Sequence, residues 1–142
     1  LFKAFISGPN DTEPSTKRGA KPGDTEVIAD KAARIATNAR NHQNKMIDQS
    51  VQFLCGKIEK ECLDENKVLL IALDDDESRY VNPNLTGLIA MKLCQMYNRP
   101  AIVIRLADDN VFKGSFRVNS NSPLANFKDF CTESGLVEYA EG

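Results

Sequence analysis

The chain has 142 residues, 42% hydrophobic and 27% charged, the balance of a soluble globular protein long enough to bury its own core. Its formal net charge is -2, so it is not a globally basic nucleic-acid binder, and any polyanion site has to be a local patch. Four cysteines and a single histidine, His42, lack the clustered spacing of a zinc site. No apolar run approaches the roughly 20 residues of a membrane span, and no signal-peptide pattern is present.

The chain opens at Leu1, not Met, inside the apolar run LFKAFI, and stops at Glu141-Gly142. Both ends read as cuts, so a piece of a longer protein is expected. Leu1 to Ile6 reads as the end of a strand or helix. Ser7 to Gly23 is rich in Gly, Pro, Ser, Thr, Lys and Asp. It has little to bury and reads as a mobile loop or linker. Its cations Lys17, Arg18 and Lys21 form either a solvated loop or a phosphate contact.

Asp24 or Thr25 is a good N-cap, with Glu26 in the first helical turn. Val27, Ile28, Ala32, Ile35 and Ala39 follow at helical spacing. Ile47, Val51, Leu54, Cys55, Ile58 and Cys62 continue it to Leu63. The polar stretch Asn38 to Asn44 leaves either one long helix or two shorter ones. Arg34, Arg40, His42, Gln43 and Lys45 around it read as a solvated face or as a surface toward a substrate or another domain. Cys55, Cys62, Cys94 and Cys131 all fall in apolar helical patterns and read as buried thiols in a reducing cytoplasm.

Val68 to Leu73 is a continuous aliphatic run, expected as a strand covered on both faces. Four acids follow, Asp74, Asp75, Asp76 and Glu77. Consecutive residues point in different directions, so a solvated turn is expected rather than a metal site. Leu85 to Tyr97 is apolar around much of a helix, with Asn84 or Thr86 as cap and Gly87 allowing another backbone close. Its N-terminus is a ready anion site. Asn98 and Pro100 stop it. Ala101 to Leu106 then reads as a second strand, parallel to the first through a right-handed crossover, and Asp108-Asp109-Asn110 as a turn.

Val111 to Val118 alternates as a third strand, with Gly114 at its middle, where a glycine implies close approach of something else. Lys113, Ser115 and Arg117 are two apart and share one face, a donor set suited to phosphate or carboxylate. A loop over Asn119 to Pro123 leads to a last helix from Pro123 or Leu124, with Leu124, Phe127, Phe130 and Cys131 inward, and Leu136 to Tyr139 starts a final strand. The fold class expected is α/β: a small sheet with a βαβ crossover flanked by helices, preceded by one long or two shorter helices. The segments expected are 1–24, the end of a preceding element plus a loop; 25–66, linker helices; and 67–142, an α/β domain truncated at its C-terminus.

The pattern N-L-T-G-L-I-A-M-K-L, then Y-N-R-P-A-I-V-I-R, then K-G-S-F-R, with E-Y-A-E-G at the end, resembles the C-terminal half of RecJ-like single-strand-specific DNA exonucleases of the DHH phosphoesterase superfamily. It covers Lys67 to Gly142 and extends more weakly over Val27 to Leu63. The resemblance implies a DHH-associated substrate-binding domain that grips single-stranded DNA in the cytoplasm, in DNA repair and recombination, as part of a 5′-to-3′ exonuclease. Gly114, Ser115 and Arg117 match the family's G-S-x-R, which holds phosphate; Lys113 adds charge, and Thr86 and Gly87 match the loop-to-helix position beside it. Gly142 matches the last glycine before a family histidine that this sequence does not contain. Phe116 and Val118 stand where many relatives carry smaller or polar residues.

The D-H-H motif and the aspartates that bind two manganese or magnesium ions belong to an N-terminal catalytic domain, the implied partner within the longer protein. No catalytic or metal-binding residue is therefore assigned here, no cofactor is expected on this piece, and it is expected to be inactive by itself. Two other readings stand: the substrate-binding half of a small-oligonucleotide or cyclic-dinucleotide phosphodiesterase of the same superfamily, and a non-catalytic protein-interaction module. Phe112 and Phe116 are candidates for base stacking or for core packing.

Overall fold

A computed structural model describes residues 1–107, 111–120, 126–135 and 137–140. The chain divides into two compact units, 1–45 and 46–142. The division falls inside one long helix, so the two-helix alternative is set aside.

In the first unit, the short helix α1 (Phe2–Ile6) precedes two three-residue strands, β1 (Thr12–Pro14) and β2 (Thr25–Val27). They pair antiparallel, Thr12 opposite Val27 and Pro14 opposite Thr25. The segment expected as a loop thus contains a strand. Its closing turns use Gly19 and Gly23 at φ +88° and +96°, a region open to glycine at little cost. Thr25 to Val27 extends instead of starting a helix because Glu26 is turned inward, where it is buried. Its carboxylate accepts the Thr16 N–H at 3.0 Å and an Arg34 guanidinium N–H at 2.7 Å, with Lys17 at 3.8 Å. Glu13 is paired with Lys3 at 3.1 Å and Lys31 at 3.2 Å. Helix α2 (Ile28–Glu61) begins directly after β2, and the Ile28 N–H donates to the Asp11 carbonyl at 2.9 Å.

The second unit is a three-stranded sheet packed on one side by helices. Its strands are β3 (Leu69–Leu73), β4 (Ala101–Leu106) and β5 (Phe112–Arg117), in the order β3-β4-β5. β3 and β4 are parallel, joined through helix α3 (Thr86–Tyr97), and β4 and β5 are antiparallel. The later turns of α2 bring Ile47, Val51, Leu54 and Ile58 into the core at helical spacing, against Leu69, Ile71, Leu73, Ile89, Leu93, Cys94 and Val103.

β3 does not have both faces covered. Leu69, Ile71 and Leu73 are buried, but Leu70 is 52% exposed and Ala72 is exposed. An unbroken aliphatic run hides its period of two, and the helices bury one face of it. α2 ends at Glu61, and Cys62 turns left-handed at φ 53°. Cys62 is exposed and Cys55 half-buried, while Cys94 and Cys131 are buried; all four are free thiols. Asn98 stops α3 as expected, at φ 51°, its N–H donating to the Cys94 carbonyl.

The acids after β3 form a closed turn. Asp74 Oδ1 accepts the Glu77 N–H at 2.8 Å, and Glu77 Oε2 accepts the Asp74 N–H at 3.2 Å. Lys57 donates to both Glu77 oxygens at 2.8 and 3.0 Å. A last helix, α4 (Phe127–Glu133), is capped by Asn126, whose side chain accepts the Asp129 N–H at 3.1 Å. Cys131 is buried as expected, whereas Phe130 is 51% exposed. The Asp108 to Asn110 turn, Pro123, Leu124, the Phe127 side chain and Leu136 lie outside the described residues. Residues 137–140 form no strand. Among the described residues, no helix is long and apolar enough to cross a membrane.

Candidate functional site: the N-terminus of α3 and the polar edge of β5

Asn82 opens the approach to α3. Its side chain accepts the Asn84 N–H at 2.9 Å and caps the 3-10 turn Pro83–Leu85. α3 itself starts after Leu85, which makes no side-chain cap hydrogen bond, and its first turn holds no acid. Neither Asn84 nor Thr86 caps it. The positive end of the helix dipole therefore stands without a neutralising carboxylate of its own.

β5 brings polar groups to that end. Ser115 pairs with Val103, and Arg117 pairs with Ala101. Val103 and Ala101 are fully buried on the face that α3 covers. Residues directly opposite on neighbouring strands share a face, so Ser115 and Arg117 point to the α3 side, and Lys113 by alternation with them. The contact is direct: Ser115 Oγ lies 3.0 Å from Thr86 Oγ1. Thr86, itself buried, also donates to the Pro83 carbonyl at 3.1 Å. Each hydroxyl has one proton, so with Thr86 donating to Pro83, Ser115 donates to Thr86.

Gly87 shapes the site by what it lacks. A Cβ there would sit 2.8 Å from Arg117 Nη2 and 3.6 Å from Ser115 Oγ. The glycine lets the guanidinium lie against the first turn of α3. Arg117 also donates from Nη1 to the Phe116 carbonyl at 2.6 Å. The structure thus assembles Thr86, Gly87, Ser115 and Arg117. Lys113 is exposed further along the strand, opposite Arg105. Gly114 answers a different need: a Cβ on it would lie 1.9 Å from the Val103 carbonyl oxygen, so the close neighbour is the backbone of β4. Gly142 lies outside the described residues.

Phe112 and Phe116 alternate with Ser115 and therefore lie on the opposite face of the sheet, away from Thr86 and Gly87. Tyr80 is an exposed aromatic residue in the segment that leads from β3 to α3. Its ring stacks on Phe53 with centroids 4.6 Å apart and planes at 23°, and it remains 61% exposed. Tyr80 stands in the wall of an open depression of about 610 Å³ formed by Met46, Gln49, Ser50, Ser78, Arg79, Val81, Asn82 and Pro83. No periodic pattern marks this tyrosine, because it sits in a 3-10 turn, Glu77–Tyr80. The signal was its place between the strand and the expected anion site.

The described residues do not provide the two-metal centre implied by the resemblance. No group of three or more His, Cys, Asp or Glu among them is placed to hold a metal ion. Of the acids in the 74–77 turn, Asp74 and Glu77 hydrogen-bond each other's backbone N–H, Glu77 also binds Lys57, and Asp76 pairs with Arg79.

The whole chain aligns over 145 positions, at 26% identity, with a Bacillus subtilis protein named as an SPbeta prophage-derived single-strand DNA-specific exonuclease, YorK, and equally with the protein of that name from Bacillus phage SPbeta. The chain is homologous to a stretch of YorK. The expected kinship with single-strand-specific DNA exonucleases holds at that level. The chain spans about a quarter, 24%, of the length of these YorK proteins. No protein-family model matches the chain, and no solved structure matches it significantly.

Proposed function

We propose that the α/β part of this chain is a grip for the phosphate backbone of single-stranded DNA within a RecJ-like exonuclease. Residues 67–142 form the substrate-binding domain in this reading, joined to the rest by α2. The observation that carries it is the open glycine at Gly87, which seats the Arg117 guanidinium on an α3 first turn free of acids. Arginine suits this task because its planar fork binds phosphate oxygens bidentately. Backbone N–H groups at the start of α3 add directed donors and a partial positive charge. Ser115 adds a further donor when its hydroxyl turns from Thr86 to the anion. Lys113 adds charge along the same strand face. Gly114 lets β5 draw close to β4, which fixes Ser115 and Arg117 against α3, and Gly142 closes the family pattern.

The name of the YorK homologue supplies the substrate class, single-stranded DNA. The hydrolytic centre, with its manganese or magnesium ions, belongs in this reading to a DHH catalytic domain of the same larger protein. The chain's own residues bind and position. The four free thiols suit a cytoplasmic setting.

The test is oligonucleotide binding at about 50 and about 200 mM salt, with single-stranded and duplex DNA and with short and long strands. The reading predicts a preference for single strands and a steep loss of affinity with added salt, since phosphate contacts release counterions. Preference for dinucleotides would move the assignment to a small-nucleotide phosphodiesterase. Binding that ignores salt would move it to a protein-interaction module.

A further inference from the structure

We propose that the depression walled by Tyr80 is a nucleobase subsite, taking a base of the same strand whose phosphate meets Arg117. This rests on the phosphate-grip reading and goes beyond it, because it assigns a base-binding role to residues outside the K-G-S-F-R and L-T-G stretches.

Three observations converge on it. First, the Tyr80 ring is held ready. It is stacked on Phe53, and its backbone carbonyl accepts the Ser50 hydroxyl at 2.7 Å, yet the residue is 61% exposed. A fixed, exposed aromatic ring offers stacking area at low entropic cost, and base–aromatic stacking tolerates any sequence because every base has a π-face. Second, the wall carries the polar groups that a base edge and a backbone need. Gln49 and Asn82 are amides, and Arg79 is an exposed cation whose ion pair with Asp76 lies in solvent, where such pairs are weak.

Third, the depression and the phosphate cluster are built on one short segment of chain. Pro83 lines the depression, and its carbonyl accepts the Thr86 hydroxyl, which in turn meets Ser115. The segment from Asn82 to Thr86 is thus shared by the wall of the depression and the start of α3. The volume, about 610 Å³, falls within the range of small-molecule sites and holds a base with room for its sugar.

The chain contains no tryptophan, so Tyr80→Trp installs a single reporter in the proposed subsite. It is titrated with a thymidine oligonucleotide and with an abasic strand of the same length. The thymidine strand is expected to quench the tryptophan, and the abasic strand to bind without quenching it. In parallel, Tyr80→Ala is expected to weaken thymidine-strand binding roughly 5- to 100-fold and leave abasic binding unchanged, whereas Arg117→Ala weakens both. Equal effects of Tyr80→Ala on the two strands, or none on either, would overturn the subsite while leaving the phosphate grip intact. Should Tyr80→Ala fail to fold, thymidine-strand binding by Tyr80→Trp without quenching overturns it instead. Failure of the unaltered chain to bind either strand brings down the phosphate reading and this one with it.

Discussion

The two units of the chain are held by different physics. Among the residues of 1–45, only Glu26 and Ile28 are buried, and the short β1–β2 pair is tied by carboxylates to Arg34, Lys17, Lys3 and Lys31. Residues 46–142 enclose an apolar core from Ile47 to Val103 in which Leu54, Ile58, Leu69, Ile71, Ile89 and Leu93 are fully buried. The first unit is thus stabilised by interactions that depend on pH and salt. The second is stabilised mainly by area removed from water, which depends far less on either. The candidate site belongs wholly to the second, where a rigid core can hold Thr86, Ser115 and Arg117 in register.

The largest effect expected from breaking this contrast is Leu54→Ala. Its side chain is fully buried between α2 and the sheet, and deleting it should cost about 2–5 kcal/mol. Urea unfolding should show a clear drop in midpoint for the 46–142 region. A drop below about 1 kcal/mol would mean that the core is less well packed than the structure indicates.

An intermediate effect is expected from acid. Glu13 is held below the ordinary carboxylate value of 4.5 by hydrogen bonds from Lys3 and Lys31. Glu26 is held below it chiefly by the Thr16 N–H, with burial opposing and Arg34 assisting. For a lowered carboxylate, the stabilisation is fully present above the unfolded value and is lost as pH falls through the folded one. Hydrogen exchange read residue by residue should therefore show β1 and β2 losing protection as pH drops below the mid-fours, while β3 and β4 keep theirs. Simultaneous loss in both regions would contradict the division. Lys57 has the opposite sign. Burial pushes its pKa down, but the hydrogen bonds to Glu61 and Glu77 outweigh this and raise it above 10.5. Its contribution fades only as pH rises through that higher value.

The smallest change in stability is expected for Gly87→Ala, which separates function from fold within the second unit. Alanine is favoured over glycine inside a helix by up to about 1 kcal/mol, and the atom it displaces is the far end of Arg117. The melting temperature should hold or rise slightly while oligonucleotide affinity falls. Loss of both together would assign Gly87 to packing alone.

The comparison also shows what a sequence conceals. The frame of the second unit was legible because β3, α3 and β4 are long apolar runs punctuated by Asn98 and Pro100. The Lys113, Ser115 and Arg117 face followed from simple alternation. The same alternation places Phe112 and Phe116 on the other face of the sheet, away from Thr86 and Gly87. The β1–β2 pair was not legible. Three-residue strands carrying Pro14 and Glu13 have no apolar period, and Glu26 reads as a surface acid until its partners from distant positions, Thr16 and Arg34, are in place. Leu70 illustrates the converse: an all-aliphatic strand gives no sign of which face stays open.

The central claim, that α3 and β5 hold phosphate through Arg117, is tested most directly by the salt dependence of single-stranded oligonucleotide binding. The logarithm of affinity is measured against the logarithm of salt concentration for the chain and for Arg117→Ala. Each phosphate contact on a single strand contributes a slope of about -0.7, so losing the arginine should flatten the slope by roughly that amount and weaken binding. An unchanged slope in a folded Arg117→Ala protein would contradict the assignment.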